Sequence, residues 1–206
     1  MRRLLWRGSK HQGWPAVLQA GEITLRPVER RDAYAWELAR KRSAAWLHPW
    51  DATSPPGTPA RPKTYAKAIT HLQRAARRGQ ACPFTLEVDG EFAGQVSVNN
   101  IVRGSAQFAS IGYWIEERFA GRGLMPRAVA MVIDHCLTAG RLHRVEICIR
   151  PENSNSLRVV EKLGLREVGF APLYLHIDGE WRDHRIYAIT VEELGDGLMS
   201  RLQSHE

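Results

Sequence analysis

The stretch "SIGYWIEERFAGRGLMPRAVAMVIDHCLTAG", residues 110–140, decides the fold. Its opening, "SIGYWI" (110–115), reads as a strand, and its close, "AVAMVIDHCLTAG" (128–140), as a helix. Between them "AGRGLMPRA" (120–128) sets Gly121 and Gly123 two apart, with Arg122 between and Pro126 just after. A helix N-terminus leaves backbone N–H groups unpaired, and aligned peptide dipoles make that end positive. Glycines before it let the backbone approach a ligand closely. Such a junction is an anion pocket, most often for phosphate. Pro126 suits the first helical position, and Arg122 and Arg127 are placed to add charge-assisted contacts. Taken alone, the same turn also reads as a merely tight connection. No Gly-Lys-Ser/Thr follows, and the third glycine of a dinucleotide fingerprint is absent, so any phosphate belongs to another ligand.

Working outward, the chain alternates two rhythms. "GEITLRPV" (21–28) alternates apolar and polar residues, as a strand does, and "RRDAYAWELARKR" (30–42) has helical spacing with Asp32 as an early cap. "HPWDATSPPGTPARP" (48–62) is a proline-rich loop. A second helix fits "TYAKAITHLQRAARRG" (64–79), and its closing arginines 74, 77 and 78 suit a helix C-terminus. Period two then takes over. "PFTLEV" and "FAGQVSV" are joined by "DGE", a tight hairpin signal, and a second "DGE" joins "PLYLHI" to "RIYAIT". Strand "RVEICI" (144–149) and a short helix near 154–163 lie between. The expected fold is an α/β domain with a mixed, mostly antiparallel twisted sheet of about seven strands, flanked by about four helices. Residues 1–21 read as an irregular arm, 22–194 as the domain and 195–206 as a tail.

The 206 residues carry a formal net charge of +7, with 44% hydrophobic and 25% charged residues. That composition buries a real core, and the charge favours acidic partners such as ribosomes or a polyphosphorylated cofactor. Cys82, Cys136 and Cys148 have no Cys-x-x-Cys spacing, so neither a disulfide framework nor a zinc knuckle is indicated. The basic start "MRRLLWRGSK" lacks an apolar run, and no stretch approaches a membrane-spanning length, so a cytoplasmic protein with no membrane partner is expected. No RNA-binding aromatic motif appears, so direct nucleic-acid readout is not expected. The histidines show no metal spacing, and no metal is expected.

A second motif, "RPENSNSLRVVEKLGL" (150–165), follows the next strand and carries an Asn-x-x-Ser, Asn153 to Ser156, suited to cap a helix. Together with the glycine turn it resembles the GCN5-related N-acetyltransferase (GNAT) family over residues 22–194. Within that family it looks closest to the RimJ/RimL branch, through "AAWLHPWDATSP" (44–55), "IGYWIEERFAGRGLM" (111–125) and "YLHIDGEWRDHRIYAI" (174–189) as well. The resemblance implies acetyl-CoA as cosubstrate and a ribosomal protein N-terminus, alanine or serine, as acceptor. One departure stands out. In the family's Gln/Arg-x-x-Gly-x-Gly/Ala loop, Ala120 takes the polar place and Met125 the last small one.

The resemblance implies that Gly121, Arg122, Gly123, Leu124 and Met125 hold the pyrophosphate, mainly through backbone N–H groups. It implies that Trp114 and Ile115 line the cofactor through main-chain groups, and that Asn153 lies along the pantetheine arm. A free N–H where two strands splay polarises the acetyl carbonyl. Ser156 is placed to protonate the departing thiolate. The general base is open between Glu146, on the polar face of "RVEICI" with Cys148, and Glu87; each is also a plausible salt-bridged structural acid. Asp51 and Trp50 belong to the loop expected to wall the acceptor site. Asp183 and His184, adjacent on a strand, point to opposite faces and read as structural. A small-molecule amine acetyltransferase and a non-catalytic CoA- or RNA-binding protein are the rival readings. Monomer and homodimer are equally compatible with the sequence.

Overall fold

The computed structural model describes residues 11–58 and 64–203. The basic start and the end of the proline-rich loop lie outside them. The elements run β1 (Leu18–Ala20), β2 (Ile23–Pro27), α1 (Ala33–Arg42), α2 (Ala44–Leu47), α3 (Tyr65–Arg77), β3 (Cys82–Val88), β4 (Glu91–Val102) and β5 (Phe108–Ile115). Then follow α4 (Leu124–Leu137), β6 (Arg144–Ile149), α5 (Ser154–Lys162), β7 (Arg166–Ile177), β8 (Glu180–Thr190), α6 (Val191–Leu194) and α7 (Leu198–Gln203). One eight-stranded sheet has the order β1-β2-β3-β4-β5-β6-β8-β7. The α/β architecture stands as expected, with β1 added from residues read as an irregular arm. Both "DGE" turns have positive φ at aspartate and glycine: Asp89 and Gly90 at 50° and 80°, Asp178 and Gly179 at 51° and 80°. That is the type I′ geometry whose twist matches the flanking strands.

Alternation along the strands sends two sets of side chains to opposite faces. Phe84, Leu86, Val96 and Val98 join the main core with α4, whose "AVAMVI" run is buried throughout. Val159 and Val160 of α5, and Leu163 just after it, close the same core. The segment after α6 is docked as well, because Asp134 of α4 accepts the N–H groups of Leu198 and Met199 at 2.7 and 3.1 Å. On the opposite face Val28, Tyr65 and Ile69 form a smaller cluster, with α1 and α3 packed there.

A buried ionic knot ties that second layer to the sheet. Arg26 donates to both oxygens of Asp32, at 2.6 and 3.0 Å, and to Glu87 Oε1 at 2.7 and 2.9 Å. Asp32 Oδ2 also accepts from Thr85 Oγ1 and the Glu29 N–H. Burial alone would lower the Arg26 pKa, but its two carboxylate partners raise it. Glu87 is therefore committed to Arg26.

β5 and β6 form the one parallel pair among the described strands. They pair at Phe108↔Arg144, Ala109↔Val145 and Ser110↔Glu146, and then part. β5 continues to Ile115 against β4, and β6 to Ile149 against β8, leaving a V-shaped gap between them. Gly94 holds β5 on the β4 side, because a Cβ there would lie 2.2 Å from the Trp114 carbonyl oxygen.

Removing one member of a buried ionic cluster strands the others, at a cost of about 3–5 kcal/mol. Arg26→Met is expected to lower unfolding stability by that amount in a urea titration. A loss below about 1 kcal/mol would show that the cluster is solvated and dispensable.

Candidate functional site

Two cavities open at the gap between β5 and β6. The larger, about 320 Å³, runs under the glycine turn past Trp114 and Ile115 to Asn153, Ser156, Arg158 and Lys162 of α5 and its cap. The smaller, about 170 Å³, sits within the gap, between Ile111–Tyr113 and Ile147–Ile149, and reaches Leu175, Ile177 and His184. Trp50, Tyr113, Asn153 and Ser156 line both, so the cavities meet at those four residues.

The glycine turn is built as an anion cradle. Gly121 and Gly123 adopt φ of 78° and 73°, a left-handed conformation open to glycine at little cost, and each has empty space where a Cβ would stand. No described backbone carbonyl accepts the N–H groups of Gly121, Arg122, Gly123, Leu124 or Met125. Four of these residues, Gly121, Gly123, Leu124 and Met125, line the larger cavity at the positive end of a 14-residue helix. Helix α4 begins at Leu124, so Pro126 is its third residue, not its first. It still lies in the first turn, where a missing N–H costs nothing. Met125 is buried in the core at 7% exposure, so its bulk faces inward and its N–H remains with the turn. The turn is braced by Glu116, a buried carboxylate 2.7 Å from Arg42 Nε and 3.0 Å from Arg118 Nε, and by Ser43 Oγ, which accepts the Glu117 N–H at 3.0 Å.

Arg122 does not line either cavity. It pairs with Glu22 at 2.6 Å, and Arg127 reaches the same carboxylate at 3.6 Å. The cations that do line the larger cavity are Arg158 and Lys162, one turn apart on α5.

The gap offers main-chain donors. The Glu116 N–H is spent on the Ala93 carbonyl at 2.8 Å, and strand alternation turns the Trp114 main chain to that same side. The N–H groups of Tyr113 and Ile115 then face the gap. Trp114 thus contributes its side chain, whose Nε1 donates to Gln95 Oε1 at 3.1 Å, rather than its backbone. Gln95 also accepts from Trp36 Nε1 and donates to Tyr65, which stacks on Trp36 at 4.6 Å.

Asn153 caps α5, its Oδ1 accepting the Ser156 N–H at 3.0 Å, and so presents Ser156 at the junction of the cavities. The Tyr113 hydroxyl donates to the Ser156 carbonyl at 3.4 Å, and burial raises its pKa. Trp50 lies under the Arg150 guanidinium, 5.3 Å from its ring, and Arg150 donates to the Pro49 carbonyl at 2.8 Å. Cys148 lines the smaller cavity with its thiol pushed up to about 11, by burial first and by Glu146 second, so at neutral pH it is not a thiolate nucleophile.

The acids expected near the chemistry stand elsewhere. Glu146 accepts from Arg144 Nε at 2.7 Å and lines neither cavity. Asp51 is held by Arg40, which lies over the Trp36 and Trp114 rings, and it too is outside both linings. No aspartate or glutamate lines either cavity among the described residues. Asp183 accepts the Leu173 N–H at 2.8 Å, while His184 turns the other way into the smaller cavity. Tyr113, Arg158, Lys162 and His184 thus join the site without having been singled out from sequence as its members. The i, i+4 spacing of Arg158 and Lys162, both following the Asn153 cap, was the one local signal for any of them. Among the described residues no helix is long and apolar enough to cross a membrane, and no cluster of metal-binding side chains appears.

Comparison with known proteins agrees with this geometry. Residues 22–166 match the model of the acetyltransferase (GNAT) domain. The chain is similar to the [Ribosomal protein uS5]-alanine N-acetyltransferase of Escherichia coli K12, 29% identical over 184 residues, covering 87% of this chain and 93% of that one. It is also similar to the spermidine N(1)-acetyltransferase of the same organism, 29% identical over 167 residues, covering 80% and 83%. Among solved structures, Mycobacterium smegmatis RimJ in complex with CoA-disulfide superposes with a TM-score of 0.88 at 39% identity, covering 95% of this chain and 97% of that one. With a family match across most of its length, the chain belongs to the GNAT acetyltransferase family.

Proposed function

We propose that this protein transfers an acetyl group from acetyl-CoA directly to the N-terminal α-amine of a ribosomal protein that begins with alanine or serine. The observation that carries this reading is the junction of two unlike cavities at the β5–β6 gap. One has an anion cradle and two lysine or arginine side chains. The other is small, mixes isoleucine walls with Asn153, Ser156 and His184, and is free of carboxylates.

Acetyl-CoA fits the larger cavity and supplies a thioester for acyl transfer. The free N–H groups of Gly121, Gly123, Leu124 and Met125 hold its pyrophosphate, with Arg158 and Lys162 adding charge. Asn153, at the mouth of α5, contacts the pantetheine arm with the amide group that capping leaves free. The gap-facing N–H groups of Tyr113 and Ile115 orient and polarise the acetyl oxygen. Ser156 relays a proton to the departing sulphur, giving its own hydroxyl proton as it takes the one that the attacking nitrogen loses. Holding both partners in one cleft supplies much of the acceleration, up to about 7–11 kcal/mol in favourable cases.

The acceptor follows from charge. A reactive amine must be neutral, and the smaller cavity has no carboxylate to hold a cation. At pH 7 deprotonation costs about 1 kcal/mol for an α-amine of pKa near 7.7–8.0, and about 5 kcal/mol for an alkylamine near 10.4. The site therefore favours a protein N-terminus over spermidine, despite the likeness to a spermidine acetyltransferase. The cavity's small volume and its Ile147, Ile149 and Ile177 walls suit a short first side chain. The net charge of +7 favours approach to a ribosomal surface.

Two outcomes are expected. Incubated with acetyl-CoA and N-terminally deacetylated ribosomal proteins, the enzyme adds one acetyl group to a single N-terminal alanine or serine, read by intact mass. Spermidine reacts at least about 100-fold more slowly in kcat/KM; comparable rates would reject the protein-acceptor reading. Second, Gly123→Ala weakens CoA binding by about 5- to 30-fold in calorimetry, the cost of a side chain in a left-handed conformation. Arg122→Ala changes it less than about twofold, because Glu22 already holds that guanidinium. Equal losses would place the phosphate on the arginine instead of the backbone.

A further inference from the structure

We propose that His184 is the general base, taking a proton from the acceptor ammonium in the smaller cavity. This rests on the reading of that cavity as the amine site. His184 lies on β8, is 3% exposed and lines the smaller cavity together with Tyr113 and Ser156. Its Nδ1 is 2.9 Å from the Arg182 carbonyl oxygen. A carbonyl only accepts, so Nδ1 carries the hydrogen and Nε2 carries the lone pair. No described residue donates to Nε2, and Nε2 is not among the sealed, unpartnered polar atoms. The ring is held in place by Tyr174, edge-on at 5.8 Å.

The other titratable groups of the cavity cannot do this work at neutral pH. Cys148 is a thiol with its pKa pushed up to about 11, and the Tyr113 hydroxyl is likewise raised by burial. Arg150 is a cation engaged by Pro49, Glu152 and Trp50. Glu146 and Asp51 are locked to Arg144 and Arg40 outside the lining.

Burial, more than the charges around it, favours the neutral ring. Burial lowers the His184 pKa below its ordinary value, and Arg150 pushes the same way. The Arg182 carbonyl, Asp183 and Glu152 oppose this without reversing it. In the step itself an N–H bond of the ammonium breaks and its electron pair stays on the amine nitrogen. An Nε2–H bond forms, and the imidazolium later releases the proton to water. Protonating His184 first removes the base, so kcat falls on the acid side, with a midpoint below the ordinary histidine value of 6.5.

The test combines one measurement on the unaltered protein with two variants. Nitrogen-15 NMR of the unaltered protein is expected to show the Nδ1–H tautomer of His184, a titration midpoint below 6.5, and a shift at Nε2 on adding an N-terminal-alanine tetrapeptide. An Nε2–H tautomer would overturn the proposal whether or not any variant folds. His184→Gln is expected to lower kcat by about 10²- to 10⁴-fold and to lose the acid limb, with CoA affinity by calorimetry unchanged. Added imidazole is expected to restore turnover in His184→Ala. A kcat within about threefold of the parent, with an unaltered pH profile, would refute it. Both the tetrapeptide and spermidine serve as acceptors. Transfer to spermidine alone would sink the protein-acceptor reading, and loss of the acid limb on spermidine would still support His184. Transfer to neither would overturn both.

Discussion

The parting of β5 from β6 is the constraint on which the rest of the site depends. The two strands share a parallel ladder only as far as Ser110 and Glu146. Beyond that point each follows its own antiparallel neighbour. β5 is drawn to β4, where Gly94 allows the Trp114 carbonyl to lie against its backbone, and β6 stays in register with β8 to Ile149. Because twisted strands rotate relative to one another, two strands pinned on their outer edges open a wedge between them. The wedge leaves the Tyr113 and Ile115 N–H groups without a strand partner. A buried, unpaired donor is costly, and a ligand carbonyl placed there removes the cost. One topological feature thus supplies the space, the polarising donors and the meeting point of two substrates.

Electrostatics divides that space. Four nearby carboxylates are matched to arginines away from the cavities: Glu22 to Arg122, Asp51 to Arg40, Glu116 to Arg42 and Arg118, Glu146 to Arg144. What remains facing the ligands is a helix N-terminus, two cations of α5, the Arg150 guanidinium over Trp50, and neutral side chains. Such a surface welcomes a pyrophosphate and offers an ammonium no carboxylate partner, so an amine becomes reactive there only by losing its proton. A neutral imidazole with an unshared nitrogen is what that demand calls for.

Much of this was legible in the chain. The two "DGE" turns announced their hairpins because aspartate and glycine tolerate the positive φ that type I′ geometry needs. The glycine turn announced an anion site for the same reason. Features set by distant partners were not legible. β1 is only Leu18–Ala20 and becomes a strand by pairing with β2. The inward turn of Met125 depends on the core beneath α4, so an apparent defect in the phosphate loop leaves its backbone donors in place. Arg122 looked like a phosphate ligand until Glu22, far away in sequence, claimed it. His184 looked structural beside Asp183. Alternation correctly separated the pair, but which face met a cavity depended on β6 and on the loop carrying Trp50.

The central claim is that both substrates occupy the cleft together and that the acetyl group passes between them without resting on the protein. Cys148 is the one cysteine that lines the site among the described residues, and its raised pKa argues against an acyl-enzyme. Initial-rate kinetics with acetyl-CoA and an N-terminal-alanine peptide, each varied at several fixed levels of the other, tests this most directly. Intersecting double-reciprocal lines, with no acetylated protein by intact mass when acetyl-CoA is supplied alone, are predicted. Parallel lines together with a stable acetyl adduct on the enzyme would contradict the account.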